Sequence, residues 1–182
     1  MTVVGVFGIS GAGKTTLISE VVRCQPTWQR VSAGSLIQEY LPDVERDALR
    51  ALSQGRILDN QEAIVRGLFA RRRDGTSEVV LFDGHVLIES EGLAEVPLDV
   101  IRRLMLDAML FVHDAPDQIA RRRQSDQHRS RAERSIEEID RLQARECAIV
   151  ERYARKLGIP FTGVTPSQRE YLISFVRQRL NP

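Results

Sequence analysis

The sequence predicts an α/β protein in which helices cover both faces of a parallel β-sheet. Short apolar runs typical of strands alternate with amphipathic helical segments along the chain, which is the pattern of a parallel sheet. The runs at 79–82 and 109–112 are apolar at every position, as in strands that are covered on both faces. A glycine-rich turn separates the first apolar run, at 3–7, from the helical segment after it. Because no repeat or linker interrupts the pattern, residues 1–182 are expected to form one domain.

The first part of the chain alternates between strand and helix before a longer helical stretch. The expected elements are a strand at 3–7, a helix near 15–22, a strand around 30–32 and a helix at 33–40. Polar helical segments are expected at 44–53 and 60–73. In the second of these, Ile64, Leu68 and Phe69 are predicted to share one face.

The second part of the chain contains three further strands and two helices. The strands are expected at 79–82, 109–112 and 160–164. Ser135 and Glu138 form a capping box that starts a long helix, and Gly158 ends it. The apolar positions of this helix keep helical spacing, and they are Ile136, Ile139, Leu142, Val150, Tyr153 and Leu157. Residues 165–168 are expected to cap the final helix, with Pro166 at its first position, where proline is tolerated.

The composition is that of an ordinary folded protein, with 42% hydrophobic and 28% charged residues. Lys and Arg total 26 and Asp and Glu total 25, so neither nucleic acid nor an anionic membrane is expected as a partner. The start lacks the basic region of a signal peptide, and no apolar run approaches the roughly 20 residues of a membrane span. The distant Cys24 and Cys147 indicate neither a disulfide scaffold nor a zinc site. A cytoplasmic monomer or small homo-oligomer is therefore expected.

Residues 8–15, GISGAGKT, match the phosphate-binding pattern G-x-x-x-x-G-K-[ST] between a predicted strand and a predicted helix. Glycines let backbone N–H groups turn toward phosphate oxygens, and the helix that follows directs its positive end to the same point. Lys14 is expected to reach the β- and γ-phosphates of ATP, and the Thr15 hydroxyl to ligate Mg²⁺. The expected nucleotide-binding residues are Gly8, Ser10, Gly11, Ala12, Gly13, Lys14, Thr15 and Thr16.

The loop motif narrows the fold to the three-layer P-loop NTPase type, with a five-stranded parallel sheet. Neither of the two lysines follows an Asn, so the Asn-Lys-x-Asp motif with which GTPases read their base is absent. Ring and transport ATPases need a longer chain. A small kinase remains as the class to consider.

Five segments of the chain resemble the adenylate kinase group of nucleoside monophosphate kinases, and most closely its archaeal-type short form. These segments are 8–15, 31–36, 45–50, 80–85 and 115–123. The resemblance implies transfer of the γ-phosphoryl group of ATP·Mg²⁺ to a nucleoside monophosphate, with AMP as the expected acceptor. It also implies a small acceptor-binding lobe at 33–75 and an arginine lid at 121–134.

The acceptor side is expected to use Ser32, Gly34, Arg46, Arg50 and His85. Arg46 and Arg50 are i,i+4 neighbours, so one helical face presents two guanidinium groups that suit a phosphate. The same pair also fits a solvated face that forms surface ion pairs. His85 fits either a hydrogen-bond donor to phosphate or a structural histidine.

Asp83 and the arginines of the expected lid are the candidate catalytic residues besides Lys14. Asp83 ends a buried strand at the sheet edge where α/β proteins bind ligands, so its carboxylate is expected to hold Mg²⁺. The lid arginines expected to stabilise the transferring phosphoryl group are Arg122, Arg123, Arg129 and Arg131, with Arg123 in the best-matching position. An arginine run at a helix end also fits a solvated segment that complements the helix dipole.

The chain departs from the long-form family members on the acceptor side. Gln38 stands where they carry an acceptor arginine, and no arginine follows Asp83-Gly84. Two other functions therefore stay open. One is a P-loop kinase that acts on a small metabolite or a nucleic-acid 5′ end, and the other is a non-catalytic ATP-binding regulatory protein.

Overall fold

The computed structural model describes residues 1–40, 54–89, 93–125 and 133–180, and for 54–59 it describes the backbone alone. The strands are β1 (Thr2–Phe7), β2 (Trp28–Ser32), β3 (Val79–Asp83), β4 (Leu87–Glu89), β5 (Leu93–Glu95), β6 (Ala108–Val112) and β7 (Phe161–Val164). The helices are α1 (Lys14–Cys24), α2 (Ala33–Tyr40), α3 (Gln54–Asp74), α4 (Leu98–Arg103), α5 (Pro116–Ser125), α6 (Ile136–Leu157) and α7 (Arg169–Arg177).

A parallel sheet of five strands, in the order β2-β3-β1-β6-β7, forms the centre of the fold. The register aligns the carboxyl ends of neighbouring strands: Asp83 of β3 lies opposite Val6 of β1 and Ser32 of β2. This edge carries the phosphate-binding sequence, because β1 ends at Phe7 and Gly8 follows directly. The edge is therefore where the candidate site forms.

The middle strands of the sheet are buried on both faces. Every residue of β3 and of β6 is buried, and so are the last five residues of β1. Helix α1 contacts α7, and α5 contacts α6, which in turn lies against β6 and β7. These contacts explain the continuous apolar runs of the sequence and confirm the predicted α/β class with its five parallel strands.

The predicted long helix begins at its capping box. The Ser135 hydroxyl accepts a hydrogen bond from the backbone N–H of Glu138 at 3.2 Å, and the Glu138 carboxylate accepts one from the Ser135 N–H at 2.7 Å. Gly158 ends the helix in the left-handed conformation, with φ 69°. The apolar stripe is buried or half-buried as predicted except at Ile136, which lies in the first turn and is exposed.

Four details of the structure differ from the sequence predictions. The short hairpin of β4 and β5 and the short helix α4 were not predicted, because these segments are too short to show a period and contain no apolar run of four residues like those at 79–82 and 109–112. Phe69 is exposed although Leu68 is buried, because adjacent positions on a helix point about 100° apart. Helix α7 begins at Arg169, so Pro166 lies outside it and not at its first position. The helical segment predicted at 44–53 lies outside the described residues.

The single tryptophan, Trp28, begins strand β2 at the end of the sheet opposite the phosphate-binding sequence. It lies beside Val79 of β3 and is buried. No helix within the described ranges is long and apolar enough to cross a membrane.

Candidate active site

The turn between β1 and α1 has the backbone geometry of an anion-binding loop. Gly13 precedes α1 with φ 90°, which is a left-handed conformation, and no side chain caps the N–H groups of the first helical turn. A Cβ at Gly13 would lie 2.8 Å from Cγ of Pro166, and one at Gly8 would lie 2.4 Å from the Val112 carbonyl oxygen. Glycine is thus required at both positions, and the uncapped amides suit a phosphate group.

Lys14 lies within the curve of this loop. Its Nζ donates hydrogen bonds to the carbonyl oxygen of Gly8 at 2.6 Å and to that of Ile9 at 3.3 Å. The side chain is 6% exposed, so the ammonium group is held where the loop turns and not on the surface. A positive charge in this place complements a phosphate chain bound by the loop amides.

Thr15, at the start of α1, and Asp83, at the end of β3, meet beside the loop. The Thr15 hydroxyl lies 3.4 Å from Oδ2 of Asp83, and the Asp83 side chain is 8% exposed. A hydroxyl and a carboxylate are the hard oxygen ligands that Mg²⁺ prefers, and Mg²⁺ usually takes one or two protein ligands together with substrate phosphates. The pair therefore fits a magnesium ion that is bound together with a nucleotide.

Arg30 is a third member of this group and was not among the predicted site residues. Its Nη2 donates to Oδ2 of Asp83 at 2.7 Å and to the Thr15 hydroxyl at 3.3 Å. The side chain comes from β2, next to β3 in the sheet, and shares a face with Ser32 because the two are two residues apart. A charged residue just before the end of a strand was the available signal, but its meaning depends on which strand lies beside β2.

The carboxylate of Glu146, in α6, is buried and lies next to His85. The Glu146 side chain is 1% exposed; its Oε1 accepts a hydrogen bond from the Val86 N–H at 3.1 Å and lies 3.7 Å from Nδ1 of His85. Burial opposes ionisation, but the interaction with His85, with help from Lys14 and the Val86 N–H, holds the pKa of Glu146 below its ordinary value. His85 itself is 43% exposed beside this carboxylate.

Glu146 was not among the predicted site residues, although its spacing in the sequence marks it as buried. Leu142, Glu146 and Val150 follow one another at intervals of four, so an acidic residue occupies the buried stripe of α6. A carboxylate in such a stripe needs a buried partner. Gln143, also on the buried side, bonds through its side-chain amide to the backbone N–H and carbonyl of Asp114, each at 3.0 Å.

Arg122 and Arg123 contact the phosphate-binding loop from helix α5. Nη1 of Arg122 donates to the Gly11 carbonyl at 3.2 Å, and Nε of Arg123 donates to the Ser10 carbonyl at 2.8 Å. Arg123 is 7% exposed and also pairs with Glu89 at 3.1 Å. Residues 121–125, the first part of the lid expected at 121–134, belong to helix α5, and the buried Ile119 anchors this helix to the core. The predicted Arg129 and Arg131 lie outside the described residues.

The acceptor-side residues fall into two groups. Ser32 caps the first turn of α2, since its hydroxyl accepts a hydrogen bond from the Ser35 N–H at 3.0 Å. Gly34 faces open space, because a Cβ there would meet no atom within 4 Å. Arg46 and Arg50 lie outside the described residues. The structure thus brings Ser32 to the sheet edge next to Asp83 and gives it a capping role that the sequence analysis did not foresee.

Most of the predicted residues that the structure describes therefore lie at one edge of the sheet. The loop residues at 8–16, the two α5 arginines, Asp83 and Ser32 all lie where the parallel strands end. Within the described residues no group of three His, Cys, Asp or Glu side chains could hold a metal. A cation at this edge would thus depend on Thr15, Asp83 and the phosphates of a ligand.

Comparison with known proteins gives matches by sequence and by structure. A model of the AAA domain family matches residues 7–140. Adenylate kinase of Thermoplasma acidophilum is 32% identical over 138 residues, which is 72% of this chain and 72% of that protein. Adenylate kinase of Methanothermobacter thermautotrophicus is 29% identical over 164 residues, 87% of this chain and 86% of that protein. Shikimate kinase from Acinetobacter baumannii in complex with shikimate superposes with a TM-score of 0.58 at 14% identity, over 98% of this chain and 92% of that one. This last likeness shows a common fold.

Proposed function

The chain belongs to the AAA domain family and to the adenylate kinase-like P-loop kinases, and we propose that it transfers the γ-phosphoryl group of ATP·Mg²⁺ to AMP. It is a phosphotransferase of the nucleoside monophosphate kinase type. In the proposed reaction a phosphate oxygen of AMP attacks the γ-phosphorus, the bond from that phosphorus to the β–γ bridging oxygen breaks, and two molecules of ADP result.

One observation carries the proposal: the two residues that suit a magnesium ion lie next to the end of β2, where the proposed acceptor lobe begins. Thr15 and Asp83 stand beside the phosphate loop, and Ser32 lies opposite Asp83 in the register of the sheet. A terminal phosphate held by the loop is thereby directed toward α2. Phosphoryl transfer needs this placement of donor next to acceptor more than it needs covalent chemistry from the protein.

The chain's own residues supply the binding and the positive charge. The loop amides and Lys14 are proposed to hold the phosphate chain, and Thr15 and Asp83 are the residues that would hold Mg²⁺, which would supply positive charge to neutralise the phosphates. Arg123 reaches the loop at the Ser10 carbonyl, so its guanidinium lies close to where the transferring group would sit. Stabilising the charge of the transition state is the role that we assign to it.

The base of ATP is proposed to lie between α5 and the loop before α7. A Cβ at Gly13 would be 2.8 Å from Cγ of Pro166 and 3.6 Å from Nη1 of Arg122, so these two side chains flank the end of the phosphate loop. A guanidinium group and a proline ring can each pack against the face of a flat base. The proposed acceptor lobe is 33–75 and the proposed lid is 121–134, and residues 121–125 of this lid belong to helix α5.

A coupled assay of ADP formation with AMP, CMP, UMP, GMP and dTMP tests the proposal. AMP is expected to give the highest kcat/KM, and Lys14→Ala is expected to abolish transfer while its circular dichroism spectrum stays that of the wild type. Lys156→Ala, which removes the other lysine from the exposed last turn of α6, is the matched control and should keep full activity. Turnover with none of the five monophosphates, despite tight ATP binding, would refute a nucleotide acceptor.

A non-nucleotide acceptor is the second candidate. Gln38, an exposed residue of α2, stands where long-form relatives carry an acceptor arginine, so a phosphate at this point has one guanidinium partner fewer. A panel of small hydroxylated metabolites, assayed in the same way, distinguishes the two. This candidate gains if one of them exceeds AMP in kcat/KM.

A further inference from the structure

Arg30 is the neighbour of Asp83 that calls for explanation. It projects from the edge strand β2, and its Nη2 lies 2.7 Å from Oδ2 of Asp83 and 3.3 Å from the Thr15 hydroxyl. The same nitrogen therefore contacts both oxygens that suit a magnesium ion. Arg30 is 33% exposed, whereas Asp83 is 8% exposed.

The ion pair compensates a carboxylate that the fold buries. An ionised carboxylate at this depth is costly unless it is paired and hydrogen-bonded, and the guanidinium supplies the pairing charge. A magnesium ion on the same carboxylate would supply that charge in its place. Two cations in contact with one carboxylate oxygen repel each other strongly where water is largely excluded.

Few contacts hold the Arg30 guanidinium at Asp83, so it can move away. Both of its contacts in this group run through one nitrogen, Nη2, and the buried Nε has no hydrogen-bond partner among the described residues. By contrast, Arg123 is held through two different nitrogens, one on the Ser10 carbonyl and one on Glu89. Displacing Arg30 from Asp83 thus breaks few contacts, and the partly exposed side chain has solvent to move into.

We propose that Arg30 and the magnesium ion of the nucleotide exchange at Asp83. The guanidinium compensates the buried carboxylate before the nucleotide arrives, and it gives up the carboxylate when Mg²⁺ binds to Thr15 and Asp83. This inference rests on the proposed binding of ATP·Mg²⁺. Its consequence is that Arg30 favours metal-free ATP, by shielding Asp83 from the phosphates, and opposes ATP·Mg²⁺, by competing with the metal.

Arg30→Gln tests the exchange through binding alone. Calorimetry gives the Kd of ATP in EDTA and in excess Mg²⁺. The Kd in EDTA divided by the Kd in Mg²⁺ is the affinity ratio, which measures how much the metal strengthens ATP binding. In Arg30→Gln the bare carboxylate repels metal-free ATP and no competitor opposes the metal, so this ratio should rise by about tenfold over the wild type, a change equal to a charge-assisted hydrogen bond at the low end of its range. In the presence of ATP, Mg²⁺ should also raise the melting temperature of the variant more than that of the wild type.

Arg103→Gln is the matched control, because it removes an arginine of similar geometry far along the chain from the loop. Arg103 pairs with Glu62 at 2.6 Å between α4 and α3. For Arg103→Gln, the Kd of ATP in EDTA divided by the Kd in Mg²⁺ should equal the wild-type value. If Arg30→Gln does not fold, Arg30→Lys takes its place, since a shorter cation holds Asp83 less well, and its ratio should exceed that of the wild type by a smaller factor.

The outcomes separate this inference from the proposed function. A ratio for Arg30→Gln that equals or falls below that of the wild type overturns the exchange, because the arginine would then not compete with the metal. A wild-type protein whose ATP affinity gains from Mg²⁺ but which phosphorylates no nucleoside monophosphate overturns the proposed acceptor and leaves the exchange to be judged by the ratio.

Discussion

Replacing Glu146 tests whether the buried carboxylate of α6 supports the segment that carries His85. Its Oε1 is the acceptor for the N–H of Val86, a residue that is fully buried. Glu146→Leu keeps a similar volume but removes the acceptor, so the Val86 N–H is left unsatisfied. Glu146→Gln keeps an acceptor oxygen at the same position and removes only the charge.

The structure sets the size of the expected effect. An unsatisfied buried donor costs about 1–3 kcal/mol of unfolding free energy, so Glu146→Leu should lose this amount. For a domain of this size each kcal/mol corresponds to about 2–4 °C, so Tm should fall by roughly 2–12 °C. Glu146→Gln should stay within about 1 kcal/mol of the wild type, because the partner His85 is 43% exposed and its ion pair is screened by water.

Urea unfolding at neutral pH, followed by circular dichroism, measures both variants. The reasoning is refuted if Glu146→Leu is as stable as the wild type. Equal losses in the two variants would show that the charge, and not the hydrogen bond to Val86, supports this segment.

The pH dependence of the same pair follows from the direction of the pKa shift. The pKa of Glu146 in the folded protein lies below its ordinary value of 4.5, because the interactions with His85, Lys14 and the Val86 N–H outweigh burial. The contribution of the ionised carboxylate to stability is therefore fully present above the unfolded pKa and is lost as pH falls through the folded pKa. Any advantage of the wild type over Glu146→Gln should thus shrink below pH 4.5.

The loop, α5 and the start of α6 give three further predictions. Gly13→Ala should weaken ATP binding by more than about tenfold in calorimetry, because the left-handed backbone and Pro166 both exclude a Cβ; unchanged affinity would contradict this geometry. Arg123→Ala should lower kcat by about 10² or more with little change in ATP affinity, and an unchanged kcat would remove Arg123 from the mechanism. Ser135→Ala should cost about 0.5–2 kcal/mol in urea unfolding through loss of the capping box, and a large change in kcat would show that this residue does more than cap.

The parts of the site that can be predicted from the sequence are those formed by residues close together in the chain. The phosphate-binding loop is eight consecutive residues whose glycines have a local conformational cause, and Asp83 is recognisable because a buried apolar strand ends there. The capping box that includes Ser135 likewise involves residues three apart. Such features need no knowledge of which segments become neighbours.

The parts that the sequence does not predict depend on neighbours far along the chain. Arg30 acquires its role only because β2 lies beside β3, which brings it to a carboxylate 53 positions away. The Arg122 and Arg123 segment looks like a loop by its charge, yet the buried Ile119 holds it as a helix against the core. Glu146 breaks an apolar stripe visibly, but its partner Val86 is 60 positions away.

The position of Trp28 makes the protein's intrinsic fluorescence a selective reporter. The indole is buried at the amino end of β2, whereas Ser32, four residues later at about 3.3 Å per residue, lies at the other end some 13 Å away. With one tryptophan in the chain, emission has a single source. The emission is expected to report detachment of the edge strand during denaturation and not to change when a nucleotide binds at the opposite end of the sheet. The same fluorescence signal therefore measures conformational stability with or without substrates.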